Sequence, residues 1–370
     1  MPTQESSSSD PIDFQVDRDD FHNTRFAAGE PIDSLRDGQV RCKVARFALT
    51  SNNISYAAAG DMLKYWDFFP GPDRWGRIPA MAFGDVLDSK NADVKVGARC
   101  FGFFPMSRHL LIDASATSSG MIDSVAHRVQ HAPIYRTYSY TETDALYDKS
   151  LEDETLLLRG LFMTSFLVDD LMGDEDFYGA SNSIVTSASS KTSIALAFLL
   201  KERARGPAVG LTSRRNQGFV ESLGCYDEVI TYDALESISK LAEDGAIMVD
   251  MAGNGEVVAQ VHTILGDALR YSCTVGATHW EAPRQTETLP GPTPEFFFAP
   301  ARIVKRTEDW GARGLQERLG TAWRAFAEFS KGWMTIRRHE GTDALARVYE
   351  EVLSGKLDPK DGHVISLWSK

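Results

Sequence analysis

Cysteine is scarce in this 370-residue chain, and its four residues, Cys42, Cys100, Cys225 and Cys273, lie far apart. They form no CxxC pair and no Cys/His cluster, so free thiols in a reducing compartment are expected and structural zinc is not. No apolar run approaches the roughly 20 residues that span a bilayer. The opening MPTQESSSSD has neither the basic stretch nor the apolar core of a secretory signal. Residues 1–10 read as a disordered polar tail, and a cytoplasmic location is expected. Positive charge is also in deficit: 39 Lys and Arg against 52 Asp and Glu give a net charge of −13. That balance argues against nucleic-acid or membrane partners, which are polyanionic, while a small anionic ligand in a local basic pocket stays compatible with it. One further shortage is local. Between Ile184-Val185 and the apolar run Ile194–Leu200 the chain turns without a glycine.

What is present fits a soluble globular protein, with 43% apolar and 25% charged residues. A chain of this length favours two domains. From Gly38 to Phe47, GQVRCKVARF alternates as a strand, with Val40, Cys42, Val44 and Phe47 on related faces. ALTSNNISYAAAGDMLKYWDFFP has no clean period and reads as a functional loop with a short helix. Short strands with glycine turns follow from Ile78 to Phe104, an all-β pattern, and residues 115–155 carry no assignable period. Leu157–Leu171 is a helix, and GDEDFYGASN a solvated turn. Strands and helices then alternate to about residue 280: strand Ile184-Val185, helix Ile194–Leu200, strand Ala208–Leu211, helix Gln217–Leu223, and strands in CYDEVITY, GAIMVDMAG and LRYSCTVGAT. This indicates a parallel, doubly wound sheet. The tail from Pro290 changes again, with PEFFFAPARIV and helices at Gly314–Phe329 and Gly341–Leu353. The expected division is therefore a β-rich domain from 11–155 and 295–370, with an α/β domain from 156–294 inserted in it.

The stretch from Ser183 to Asn216 carries the chemistry. Strand, tight small-residue turn, helix and strand form the unit that sets a dinucleotide pyrophosphate at a helix N-terminus. Serine keeps such a turn small and adds hydroxyl donors, and Lys191 adds a cation. The alternatives are a P-loop, whose GK[ST] ending SKTS partly matches although its first glycine is missing, and a βαβ turn with no ligand. At the end of the second strand stand Ser213, Arg214 and Arg215. An acidic residue there holds a ribose 2′-hydroxyl, whereas arginine accommodates a 2′-phosphate. Two guanidiniums and no carboxylate favour NADPH over NADH, against the plain reading of an exposed arginine pair.

VTSASSKTSIALAFLLK, AVGLTSRRNQGFVESLGCYDEVITY and IMVDMAGN resemble the cofactor domain of the medium-chain dehydrogenase/reductase superfamily, in its zinc-independent quinone oxidoreductase and enoyl reductase branch. Ser187, Ser189 or Ser190, Lys191 and Ser193 stand where that branch has glycines. DVKVGARCFGFFPMSRHLLI resembles its β-rich GDRVFG segment, and LTSNNISYAAAG sits at its Asn-containing substrate loop. YWDFFP, PEFFFAP and the SASSKTS turn further resemble a divergent bacterial group, the DUF2855-like proteins.

The resemblance implies a Rossmann-type domain inserted in a GroES-like catalytic domain, and a homodimer through the cofactor domain. It implies NADPH contacts from Asn53, Thr164, Ser187, Ser189, Ser190, Lys191 and Thr192, continuing through Ser213, Arg214, Arg215, Tyr232, Ala252 and Gly253. Cys42 and Cys100, with no His-Glu motif beside them, read as core residues, so the mechanism is expected to be zinc-free. Hydride would pass to an activated C=C or C=O of an enone, an enoyl thioester or a quinone. Asn53, Tyr56 and Tyr65 are the catalytic candidates, as hydrogen-bond donors or a general acid. Ser107 and His109, which follow the strand at FGFFP, are further candidates, with a structural surface histidine the plainer reading of His109, and Asp169-Asp170 reads as a solvated helix face or cap. A lyase or hydratase on the same fold, and a catalytically silent NADPH-binding protein, are the other readings.

Overall fold

A computed structural model describes residues 11–29, 35–275 and 289–368. The tail expected over residues 1–10 lies outside the described residues. The chain divides into two units, Met1–Leu157 with Thr335–Lys370, and Leu158–Met334.

The first unit opens with β1 (Ile12–Asp17), β2 (Thr24–Ala28), β3 (Gln39–Leu49) and the helix α1 (Ser51–Ala58). It continues through β4 (Trp75–Gly76), β5 (Pro79–Ser89), β6 (Arg99–Pro105), β7 (His109–Thr117), β8 (Gly120–Asp123) and β9 (Thr137–Tyr140). Helix α2 (Glu152–Asp174) carries the chain into the second unit, which holds β10 (Asn182–Val185), α3 (Lys191–Arg203), β11 (Ala208–Thr212), α4 (Gln217–Ser222) and β12 (Glu228–Thr231). There follow β13 (Ala246–Asp250), α5 (Gly255–Leu265), β14 (Leu269–Thr274), β15 (Glu295–Phe296) and α6 (Ala299–Ser330). The chain returns to the first unit with β16 (Thr335–Glu340), α7 (Thr342–Leu353) and β17 (Asp361–Ser366).

In the first unit one sheet runs β16-β17-β3-β5-β6-β9-β8-β7, and β3 also pairs with β7. That second pairing closes six strands into a barrel, which removes exposed edges. Its interior is apolar: Val40, Cys42 and Val44 from β3 are buried beside Cys100, Phe104, Ile112 and Tyr138. The alternation in GQVRCKVARF therefore reports the barrel wall. Residues 115–155 resolve into the end of β7, then β8, β9 and short 3-10 turns; each piece is too short to show a period.

In the second unit β12-β11-β10-β13-β14-β15 form a parallel sheet. In order of appearance the strands lie 3-2-1-4-5-6, the doubly wound order, with its reversal between β10 and β13. Ile184, Val209, Leu211, Ile230, Met248 and Val261 form part of the buried core. Two expectations need correction. Residues 295–334, expected in the β-rich domain, belong to the second unit, where 299–330 form helix α6, whose Trp323 and Phe326 pack on Phe162 of α2. Nor is Asp169-Asp170 a solvated face. Asp169 is buried and held by Arg203 at 2.6 Å, while Asp170 accepts from Arg302 and Arg306 of α6, each at 2.7 Å. Among the described residues no helix is long and apolar enough to cross a membrane.

Candidate functional site

The turn after β10 is built without glycine but keeps a glycine-like conformation. Ser187 has φ +50°, the left-handed region, at a cost of about 1–2 kcal/mol for a residue with a Cβ. Neighbouring elements hold it there. The Ser187 N–H donates to the Tyr232 hydroxyl at 3.0 Å, and the Tyr226 hydroxyl donates to the Ala188 carbonyl at 2.9 Å. Burial pushes the Tyr232 phenol up to about 12. Asn216, just past the arginine pair, donates to Ser189 Oγ at 2.9 Å. Gly210 of β11 is the glycine this turn does require: a Cβ there would stand 2.8 Å from the Tyr226 ring and 2.9 Å from Ala188 Cβ.

Ser190 caps α3, its Oγ accepting the Ser193 N–H at 3.2 Å. Its hydroxyl donates to Ser193 Oγ at 2.8 Å, which donates in turn to the Thr186 carbonyl at 2.8 Å. Ser193 is fully buried, so its small size lets helix and strand approach. Lys191 and Thr192 begin α3, and Ser165 of α2 donates to the Thr192 carbonyl at 2.7 Å. Its neighbour Thr164 points its hydroxyl back to the Gly160 carbonyl at 3.4 Å, within α2.

Thr186, which the sequence reading passed over, joins the two strands at the reversal. Its hydroxyl donates to Asp250 Oδ1 at 2.6 Å and accepts from the Met251 and Ala252 N–H groups at 2.9 and 3.2 Å. Asp250, at the end of β13, also accepts from Ala252 and Gly253 N–H at 3.0 and 3.1 Å. The Ala252 and Gly253 amides, expected to face a cofactor, are thus turned onto Asp250. At the end of β11, Ser213 precedes a 3-10 turn that exposes Arg214 and Arg215, and Arg214 is ion-paired with Asp233. Of the expected cofactor residues, Ser187, Ser189, Ser190, Lys191, Tyr232, Ala252 and Gly253 sit at the carboxyl ends of β10, β12 and β13 or in the turns that follow.

In the first unit, Asn53 has a different task from the one expected. It is buried, its Oδ1 accepting the Thr50 N–H at 2.7 Å and its Nδ2 donating to the Pro79 carbonyl at 2.9 Å. It closes a capping box at the start of α1, so its amide already has protein partners on both sides. Tyr56 and Tyr65 do come together, their rings 4.9 Å apart edge to face, and Tyr135 stands 5.9 Å from Tyr65. Phe68 and Phe103 complete the cluster. Burial, and then the neighbouring Tyr135, push the Tyr56 and Tyr65 phenols well above the ordinary value, so both stay protonated at neutral pH. Trp66 anchors this loop: a Cβ at Gly60 or Gly76 would stand 2.2 or 2.4 Å from its indole. Beneath lies Arg128, buried, bonded to Asp123 at 2.9 Å, the Tyr138 hydroxyl at 2.8 Å and the Tyr135 carbonyl at 2.6 Å. Tyr135 and Arg128 were invisible as site residues because nothing in the local sequence ties them to YWDFFP.

Cys42 and Cys100 are buried in the barrel, as their strand contexts suggested, and Cys100 Sγ lies 3.5 Å from the Gly84 carbonyl. Among the described residues, no group of three His, Cys, Asp or Glu side chains is gathered to hold a metal ion.

A doubly wound parallel sheet in one unit and a closed β-barrel in the other give the fold of the medium-chain reductases, here with a serine turn at the reversal. Solved structures share it. CurA from Vibrio vulnificus in complex with NADPH superposes with a TM-score of 0.61 at 14% identity, over 94% of this chain and 95% of that one. A mutant form of enoyl thioester reductase from Candida tropicalis gives 0.56 at 11% identity, over 96% and 99%. Haloferax mediterranei glucose dehydrogenase, in complex with NADP, zinc and gluconolactone, gives 0.56 at 10%, over 97% and 100%. At these identities the likeness establishes the fold. No curated protein matches the sequence. The chain belongs to the family described as protein of unknown function (DUF2855), which matches residues 47–358.

Proposed function

We propose that this protein is an NADPH-dependent, zinc-independent reductase acting on an activated C=C or C=O of a small or acyl-thioester substrate. The observation that carries the reading is the serine turn at the N-terminus of α3, beside the β10/β13 reversal, with two arginines at the end of β11. The residues fit the cofactor. Ser187 adopts the backbone conformation that glycine provides in such turns, Ser190 caps a 13-residue helix whose N-terminus favours an anion, and the arginines supply bidentate donors. Ser189, Ser190, Lys191 and Thr192 would hold the pyrophosphate, and Ser213, Arg214 and Arg215 the 2′-phosphate. When bound, NADPH supplies hydride.

The chain's own contribution is a proton and a dry, aromatic surround. Tyr56 and Tyr65, kept protonated by burial, are the candidate proton donors, with Tyr135 packed beside Tyr65. Asn53 supports them through α1 rather than through contact with the reacting atoms. The zinc-free reading rests on the cysteines: Cys42 and Cys100 are buried side chains of the barrel strands, with no His-Glu motif beside them in the sequence. A reducing, cytoplasmic setting suits the four free, buried thiols. A homodimer through the cofactor unit belongs to the same proposal; β15 is the edge strand of its sheet and exposes Phe296.

The test is a fluorescence titration with NADPH and NADH. NADPH is expected to bind more tightly, and Arg214→Ala with Arg215→Ala should weaken NADPH at least tenfold while leaving NADH little changed. Equal losses would refute the 2′-phosphate assignment, and failure of both cofactors to bind would sink the reading. A panel of enones, enoyl thioesters and quinones then follows NADPH absorbance. Turnover without oxidation of NADPH would convert the assignment to a lyase or hydratase, and binding without any turnover to a silent NADPH-binding protein.

A further inference from the structure

Three tyrosines that the chain supplies from separate places meet in the first unit. Tyr56 comes from α1, Tyr65 opens the 3-10 turn Tyr65–Asp67, and Tyr135 closes the 3-10 turn Pro133–Tyr135. Tyr65 stands edge to face with both others, its ring 4.9 Å from Tyr56 and 5.9 Å from Tyr135. Each partner of the second contact is held from outside it. Lys64, just before Tyr65, has φ +61°, an uncommon backbone conformation for a residue with a Cβ. The Tyr135 carbonyl accepts from the buried Arg128 at 2.6 Å, and the rings of Phe68 and Phe103 stand 5.1 and 5.6 Å from its own.

The three hydroxyls are not equivalent. That of Tyr56 pairs with the Asn52 side chain, whereas those of Tyr65 and Tyr135 are hydrogen-bonded to each other. Two hydroxyls that share one hydrogen bond hold two protons, one between the oxygens and one directed away from the pair. Burial is the main reason that both phenols resist ionisation. A lone phenol in such surroundings gives up its proton only by leaving a desolvated charge behind. In a pair, the neighbouring O–H stabilises that charge and passes its own proton to it.

We propose that Tyr135 is the second half of the proton donor, so that Tyr65 and Tyr135 deliver the proton as one unit. The inference rests on the reductase reading above. Reduction leaves one substrate atom with negative charge. That atom forms its new bond to the outward proton of the pair, and the O–H bond breaks with its electron pair staying on oxygen. The proton between the two oxygens shifts to the phenolate so formed, and water returns a proton to the phenol left bare. Both tyrosines are half-buried, which leaves the pair within reach of water.

Phenylalanine variants test the pairing, because each keeps the ring and its packing and loses only the hydroxyl. With NADPH and a substrate from the panel above, Tyr135→Phe should lower kcat at least tenfold, with KM, NADPH affinity and melting temperature held. The double variant Tyr65→Phe with Tyr135→Phe should fall no more than about twofold below the poorer single variant, since either change disables the same unit. In mixtures of light and heavy water, the wild-type kcat should vary with deuterium content along a curve, from two protons in motion, and Tyr135→Phe should straighten it. An unchanged kcat in Tyr135→Phe, losses that multiply in the double variant, or a straight dependence in the wild type overturns the proposal. So does a loss of kcat that comes with a raised KM and a lower melting temperature, which marks Tyr135 as packing alone. A wild type that oxidises no NADPH with any substrate of the panel fails the reductase reading itself; one that does, with multiplying losses, fails only the pairing.

Discussion

Thr186→Val probes the link on which the cofactor turn depends. Valine keeps the shape and β-branching of threonine in a fully buried position. It removes the 2.6 Å hydrogen bond to Asp250 and the acceptor that the Met251 and Ala252 amides share. A bond to a charged group contributes about 1.5–3 kcal/mol, and an orphaned buried donor adds about 1–3 kcal/mol. A loss of roughly 3 kcal/mol is expected, because Asp250 keeps its bonds from Ala252 and Gly253. For domains of this size that corresponds to a fall in melting temperature of about 6–12 °C. Because the carbonyl of Thr186 also receives Ser193 and its neighbour Ser187 begins the turn, NADPH affinity should fall several-fold as well. Calorimetric melting and the NADPH titration read the two effects. With Asp250→Asn as the second variant, the double mutant should fall short of additivity by about 1 kcal/mol or more. A melting shift below about 2 °C with unchanged NADPH affinity would mean that the reversal is not held by this pair, and the account of the turn would fail.

Ser190→Ala should cost about 1 kcal/mol through the lost cap and weaken NADPH more than Ser190→Gly does; thermal melting and the same titration measure both. Glu152 gives a pH signature. Burial raises its pKa, but hydrogen bonds from Arg99, Tyr147 and Arg46 outweigh that and hold it at about 2 against an ordinary 4.5. Its contribution to stability is therefore present above about pH 4.5 and lost as pH falls toward 2, and Glu152→Gln should remove that dependence in acid melts of the full chain. Tyr65→Phe should lower kcat at least tenfold with little change in NADPH affinity or melting temperature, and the wild-type rate should show no loss from phenol ionisation up to about pH 10. An unchanged kcat in Tyr65→Phe would exclude Tyr65 as the proton donor.

The amino-acid sequence alone carried the second unit. Its strands and the helix Ile194–Leu200 are short apolar runs, each formed by neighbours in the chain, so Asn182–Val185, Ala208–Thr212 and Ala246–Asp250 were legible with small shifts at their ends. The turn after Val185 was legible too, because small residues before a helix report a tight approach whatever their identity. The arginines after β11 were equally local. Three things were decided only by tertiary contacts. The barrel closes through β3 and β7, separated by some sixty residues, and no local pattern reports that pairing. Helix α6 joins the second unit because Arg302 and Arg306 find Asp170 on α2, a partner more than 130 residues away. And Asn53 reads from sequence as a candidate hydrogen-bond partner for cofactor or substrate; only the fold reveals that Thr50 and Pro79 already engage its amide. Spacing along the chain fixes which residues share an element, whereas the hydrogen-bond partners of a buried polar group come from wherever the fold brings them.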